Sequence, residues 1–148
     1  MMVNDSQKLN KMLTLVVNSF DGILDKGGQP YVLHCLKVMH YLKTDDVELQ
    51  CIALGHDLIE DTKVTLNDLV DMGFSRRIVD GIDAMTKIHG EPVAEYLHRI
   101  KGNRDAIKVK LCDLRHNSDI RRLKGVTDKD IARMKKYHRM YLELRNLV

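Results

Sequence analysis

The chain has no tryptophan, only two phenylalanines and only two prolines in 148 residues. With so few rings, Leu, Ile, Val and Met must supply the core. With so few prolines, long stretches carry no helix breaker. Together these absences argue against a β-sandwich and for an all-α chain. No apolar run approaches the roughly 18 residues of a membrane-spanning helix, so no membrane partner is expected. Met1-Met2-Val3-Asn4-Asp5 lacks the charged-then-apolar layout of a signal peptide. The three cysteines, Cys35, Cys51 and Cys112, are odd in number, far apart and set in apolar segments. Paired short spacings of the zinc-cluster kind are missing, and buried free thiols in a reducing cytoplasm are expected. Charge of one sign is also scarce, with 24 basic against 21 acidic residues and a net +3. Such a bias predicts no nucleic-acid partner and fits an anionic small molecule equally well.

What is present is 44% hydrophobic and 30% charged residues, the balance of a globular chain. The length suits one domain, residues 1–148, with a core over about 8–145. Repeats, low-complexity tracts and linkers are missing. Apolar periodicity is helical nearly throughout. Residues 6–24 read as an amphipathic first helix, broken by Lys26-Gly27-Gly28-Gln29-Pro30. A second runs from Pro30 to about Leu42 and carries His34. Thr44-Asp45-Asp46 offers caps for a third, through Ile59. Short helices follow at Thr65–Val70 and from Ser75 to Met85, then Glu91–Ile100 and Asp105 to about Arg122. Thr127 caps the last. Ile107–Leu111 alternates apolar and basic residues as a strand would, but Leu111, Leu114 and Asn117 continue at helical spacing.

The chemistry is concentrated at His56-Asp57, near the end of the apolar third helix. Adjacent helical residues lie about 100° apart, so a ring nitrogen and a carboxylate oxygen can converge on one ion. His34 and Asp113, on other helices, can complete such a site. Two imidazoles and two carboxylates suit Mn²⁺, Fe²⁺ or Zn²⁺ with positions open for water and phosphate oxygens. Glu60 and Asp61 follow at four-residue spacing, about 6 Å along the same face. There they can orient or deprotonate water activated by the ion, whose bound water has a pKa lowered towards about 7. Acidic residues are unfavourable at a helix C-terminus, and a cation there offsets that cost.

Four stretches carry a resemblance to a known family. Lys26-Gly27-Gly28-Gln29-Pro30-Tyr31-Val32-Leu33-His34 looks like Lys-x-Gly-x-Pro-Tyr-x-x-His. Leu54-Gly55-His56-Asp57-Leu58-Ile59-Glu60-Asp61-Thr62 looks like Leu-x-His-Asp-x-x-Glu-Asp-Thr. Gly73-Phe74 through Met85-Thr86-Lys87 is a weaker match. Val109-Lys110-Leu111-Cys112-Asp113 through Asn117 looks like Val-Lys-Leu-x-Asp-x-x-x-Asn. The chain thus resembles the HD superfamily of phosphohydrolases, and within it the hydrolase domain of RelA/SpoT homologues, in particular the single-domain alarmone hydrolases. The resemblance implies a compact helical bundle and one Mn²⁺ held by His34, His56, Asp57 and Asp113. It implies Glu60 and Asp61 as the pair that activates water at the 3′-diphosphate of (p)ppGpp, releasing pyrophosphate and GDP or GTP. It also places Lys26 and Asn117 in a nucleotide pocket, with Tyr31, Arg121 and Arg122 as further possible contacts. The synthetase domain of longer relatives is not expected.

Two departures fall on the substrate side. Phe20-Asp21-Gly22-Ile23 stands where the family often has His-x-Gly-Gln, and Asp25 stands where longer relatives often carry a basic residue. Three functions follow: hydrolysis of (p)ppGpp, the same chemistry on another nucleotide or phosphoester, or a non-catalytic metal- or nucleotide-binding regulator. The Glu60-Asp61 pair speaks against the last.

Overall fold

Short polar side chains start most of the helices. Asn4, Asp46, Thr65, Ser75, Asn103 and Thr127 each accept a backbone N–H from the first turn that follows. Such caps satisfy donors that the helix itself leaves free, at about 1 kcal/mol each. The computed structural model describes residues 4–148. Its α-helices are α1 (Asp5–Ser19), α2 (Val32–Tyr41), α3 (Val47–Gly55), α4 (Leu58–Asp61), α5 (Leu66–Asp71), α6 (Arg76–Met85), α7 (Val93–Lys101), α8 (Arg104–Asn117) and α9 (Asp128–Leu144), with 3-10 turns at Ile120–Arg122 and Arg145–Leu147. Among the described residues the only β pairing is an isolated bridge between Leu24 and Pro30. The all-α expectation holds.

The bundle is built around α3. Leu49, Cys51, Ile52, Ala53, Leu54 and Gly55 are all buried, so this helix is enclosed on every side, as an all-round apolar pattern requires. Helices α1, α2, α6 and α8 pack against it. Gly81 lets α6 cross closely, since a Cβ there would stand 2.6 Å from Ile52 Cδ1. Met12 and Val16 of α1 close one side, and Met140 and Leu144 anchor α9. Burying each large aliphatic side chain is worth about 1.5–3 kcal/mol.

The structure corrects four boundaries. First, α1 ends at Ser19 rather than near Leu24, because Phe20 turns inward to the core and Gly22 takes a left-handed φ of 77°. Second, α3 stops at Gly55 instead of reaching Ile59. His56 and Asp57 form a turn, with Asp57 at φ −104° and ψ 1°, before α4 restarts the helix. Third, Asn103 rather than Asp105 caps α8. Fourth, α8 ends at Asn117, where Asp119 captures the Arg121 N–H and opens the 3-10 turn. The cysteines are free thiols; Cys35 and Cys51 are buried, and Cys112 is partly so. Among the described residues no helix is long and apolar enough to cross a membrane.

Candidate metal centre and adjoining cavity

Three helices meet where the four sequence-predicted ligands converge. The first turn of α2 presents His34, the α3–α4 turn presents His56 and Asp57, and α8 presents Asp113. One donor atom from each lies within 4.8 Å of every other. The second pair stands in the turn between the end of α3 and the start of α4. His34, His56 and Asp113 are buried, and Asp57 is nearly so. His34 Nε2 stands 3.0 Å from Asp113 Oδ1 and 3.7 Å from Asp57 Oδ2. His56 Nε2 stands 3.0 Å from Asp57 Oδ2 and 3.3 Å from Asp113 Oδ1.

Surrounding groups orient each donor. His56 Nδ1 lies 2.7 Å from the Ala53 carbonyl and donates to it, which leaves the Nε2 lone pair facing the carboxylates. That Nε2 is the one fully buried side-chain nitrogen or oxygen among the described residues without a hydrogen-bond partner. His34 Nδ1 lies 2.7 Å from His116 Nδ1. Asp113 accepts from Lys110 Nζ at 3.0 Å and from Asn117 Nδ2 at 2.9 Å. The Tyr31 hydroxyl donates to Asp57 at 2.5 Å. An orphaned, buried imidazole nitrogen facing two carboxylates fits a divalent cation.

The carboxylates and imidazoles of the cluster also act on one another's charge. Burial opposes ionisation of Asp113, but Lys110 and the two histidines outweigh it and hold its pKa well below the usual carboxylate range. Burial likewise opposes charge on His56, and Asp57 and Asp113 override it and raise its pKa. Burial, and then the Asp57 charge, push the Tyr31 phenol up, so it stays a donor. His116 is pushed down to about 4 by burial, then by Arg122, His34 and Lys37.

Glu60 and Asp61 project from α4, and with Asp57 they form a second acidic group, more open to solvent. Glu60 Oε1 accepts the Lys87 backbone N–H at 2.9 Å. Asp61 has its pKa raised to about 6, first by desolvation and then by Asp57 and Glu60. It also lines a cavity of about 490 Å³ that opens beside the cluster.

Lys26, Tyr31 and Asn117 line that cavity as well, whereas Arg121 does not. The Arg121 side chain is 87% exposed and pairs with Asp119 at 2.8 Å. Its neighbour Arg122 faces inward and bonds Asp25 at 3.1 Å, the His116 carbonyl and Asn117 Oδ1. The other carboxylate oxygen of Asp25 accepts from the Gly27 and Gln29 N–H groups at 2.9 Å, so this departure from the family pattern organises its own turn. Gly27 is obligatory there, because a Cβ would run into the Arg122 carbonyl. Arg133, paired with Asp130, and Tyr137 extend the wall from α9. Sequence reasoning gave no role to Lys110, His116, Arg133 or Tyr137. Lys110 and His116 flank Asp113 at three-residue spacing, which places them on its face of α8.

No family model matches the chain. It is 29% identical over 84 residues to the guanosine-3′,5′-bis(diphosphate) 3′-pyrophosphohydrolase of Vibrio cholerae, a stretch covering 55% of this chain and 12% of that relative. The match therefore spans only a small part of the relative's length. Among solved structures the chain is similar to one described as a metazoan ortholog of SpoT that hydrolyzes ppGpp and plays a role in starvation responses. That likeness has a TM-score of 0.76 and 21% identity, over 98% of this chain and 88% of the other. The two share a fold.

Proposed function

We propose that the chain is a metal-dependent phosphohydrolase of the HD type, residues 1–148 acting as one domain, which removes the 3′-diphosphate of (p)ppGpp as pyrophosphate and leaves GDP or GTP. The observation that carries the reading is the position of Asp61. This residue belongs to the acidic group beside the His34, His56, Asp57 and Asp113 cluster and also lines the neighbouring cavity. A substrate held in the cavity therefore meets the cluster beside a carboxylate. The relatives named above, one a 3′-pyrophosphohydrolase and one a ppGpp hydrolase, support the choice of substrate.

In this reading His34, His56, Asp57 and Asp113 hold one Mn²⁺. When bound, the ion supplies Lewis acidity, offsetting phosphate charge and acidifying water. Asp61 takes the proton of the attacking water, and Glu60, held by the Lys87 N–H, orients it for in-line attack on phosphorus. Asn117 bridges Asp113 and Arg122, so it carries the order of the cluster to the nucleotide side. Lys26 supplies positive charge to the phosphates, and Tyr31 holds Asp57 in place through its hydroxyl.

One observation favours a second substrate. Arg122 and Arg133 are both paired with aspartates, Asp25 and Asp130. The cavity is thus less cationic than its arginines suggest, and the same chemistry can act on a nucleotide or phosphoester carrying less charge. The test is to incubate Mn²⁺-loaded protein with ppGpp and a panel of phosphoesters, following pyrophosphate and phosphate separately. Pyrophosphate from ppGpp is expected. Phosphate from another compound, with no pyrophosphate from ppGpp, would replace the first substrate by the second. No turnover of any compound by metal-replete protein would leave a binding regulator.

A further inference from the structure

The two histidines of the cluster are secured by different means. His56 uses the Ala53 carbonyl, which can only accept. His34 uses a second imidazole, which carries both a donor and an acceptor. The geometry of the pair is that of an in-plane hydrogen bond rather than a stack. The rings of His34 and His116 are tilted by only 18°, their centroids are 5.0 Å apart, and their Nδ1 atoms are 2.7 Å apart. The centroid spacing exceeds the nitrogen spacing by the two ring radii, so the nitrogens face each other along the line of centres.

His34 is almost fully buried. Its Nε2 faces Asp113 and Asp57, and its Nδ1 faces His116. A neutral imidazole that offers Nε2 to a cation carries its proton on Nδ1. We propose that His116 is the positioning residue for His34, accepting the His34 Nδ1–H on its own Nδ1 and so keeping the Nε2 lone pair free for the cation that the two carboxylates would share. The inference rests on the metal reading above.

The fold supports His116 in this task. It lies three residues after Asp113, so one face of α8 delivers both a ligand and the partner of another ligand. The Arg122 guanidinium fixes the His116 carbonyl at 3.0 Å. The Tyr41 ring meets the imidazole edge-on at 6.0 Å. A residue in this position tunes ion affinity without touching ion or substrate.

Two measurements test the proposal. In the wild-type chain loaded with diamagnetic Zn²⁺ and labelled with ¹⁵N-histidine, NMR should show His116 protonated on Nε2 only. A ¹⁵N–¹⁵N coupling should also cross the hydrogen bond between the two Nδ1 atoms. A His116 protonated on Nδ1, or no coupling, would overturn the assignment. In the second, Mn²⁺ affinity is read from the free-ion EPR signal. His116→Phe should weaken it about 10–100-fold, while His116→Asn, whose amide oxygen can stand where Nδ1 stood, should stay within a few-fold of wild type. Thermal melting of the metal-free variants checks their folding, and if the Phe variant does not fold, the wild-type spectrum decides. Normal ion uptake by wild type with unchanged affinity in His116→Phe would overturn this inference alone. No uptake of either ion by wild type would overturn the metal reading and this inference with it.

Discussion

The cluster and the cavity beside it are built from different kinds of structure. The cluster draws on the buried faces of two helices, α2 and α8, and on a turn at the end of the most enclosed helix, α3. Its side chains are held by groups that are themselves packed. Much of the cavity comes instead from irregular chain, residues 20–31 and 117–123, closed by α9. Four of its charged residues are tied in the pairs Asp25–Arg122 and Asp130–Arg133. Packing is thus tightest around the cluster proposed to hold an ion, and the chain is least regular around the cavity proposed to take the substrate.

The largest effect should separate the two regions outright. Asp113→Ala is expected to weaken Mn²⁺ binding by more than about 100-fold and to abolish pyrophosphate release, since it removes a proposed ligand and takes from Lys110 its carboxylate partner. Calorimetric titration with Mn²⁺ alongside a turnover assay checks both losses. An intact affinity would remove Asp113 from the cluster. Next, Glu60→Ala is expected to keep the ion and lose about 10²–10⁴-fold in kcat, and a fully active variant would strip that residue of its role.

On the cavity side, Gly27→Ala should force the 25–30 turn away from the Arg122 carbonyl. The expected result is a cost of about 1–3 kcal/mol in unfolding free energy and a raised KM, with Mn²⁺ affinity unchanged. A fall in Mn²⁺ affinity as large as that in KM would show that the two regions do not act separately.

The smallest effect lies away from both. Arg77 bridges Asp46 and Asp105 with hydrogen bonds of 2.7–3.1 Å. Because this group is about 40% exposed, Arg77→Ala should cost no more than about 1 kcal/mol and leave turnover alone. The Arg77 hydrogen bonds lower the Asp46 pKa below its ordinary 3.8. A depressed carboxylate stabilises the fold above its unfolded pKa and loses that contribution as pH falls through the folded one. The difference in melting temperature between wild type and Arg77→Ala should therefore be constant above about pH 5 and shrink below pH 3.8.

How far the sequence could be read follows the same division. Helix starts were legible because Asp46, Ser75 and Thr127 are caps whose mechanism is local. The residues alone offered the His56-Asp57 pair, with His34 and Asp113 as candidates to complete a site, and the resemblance of the surrounding motifs is what made the set of four legible. The α3 break at His56 was not, since nothing in the neighbouring apolar residues opposes a continuous helix and the turn is imposed by packing. Nor were Lys110 and His116. A lysine or histidine three residues from an aspartate on a helix reads as a solvated pair until the fold buries it. Arg121 and Arg122 were indistinguishable as neighbours, and only the 3-10 turn sends one outward to Asp119 and the other inward to Asp25.

The Asp25–Arg122 pair joins positions 97 residues apart, with Gly27 packed against the same arginine's carbonyl. The segment from Asp21 to Pro30 is therefore a loop pinned at its base by the buried Phe20 and latched beyond the far end of α8 through one ion pair and one glycine. A chain that keeps the latch can trade Ile23, Leu24 or Lys26 for other side chains and explore new substrates while its buried core stays as it was. Selection for a new specificity in this scaffold has a short stretch of sequence to search.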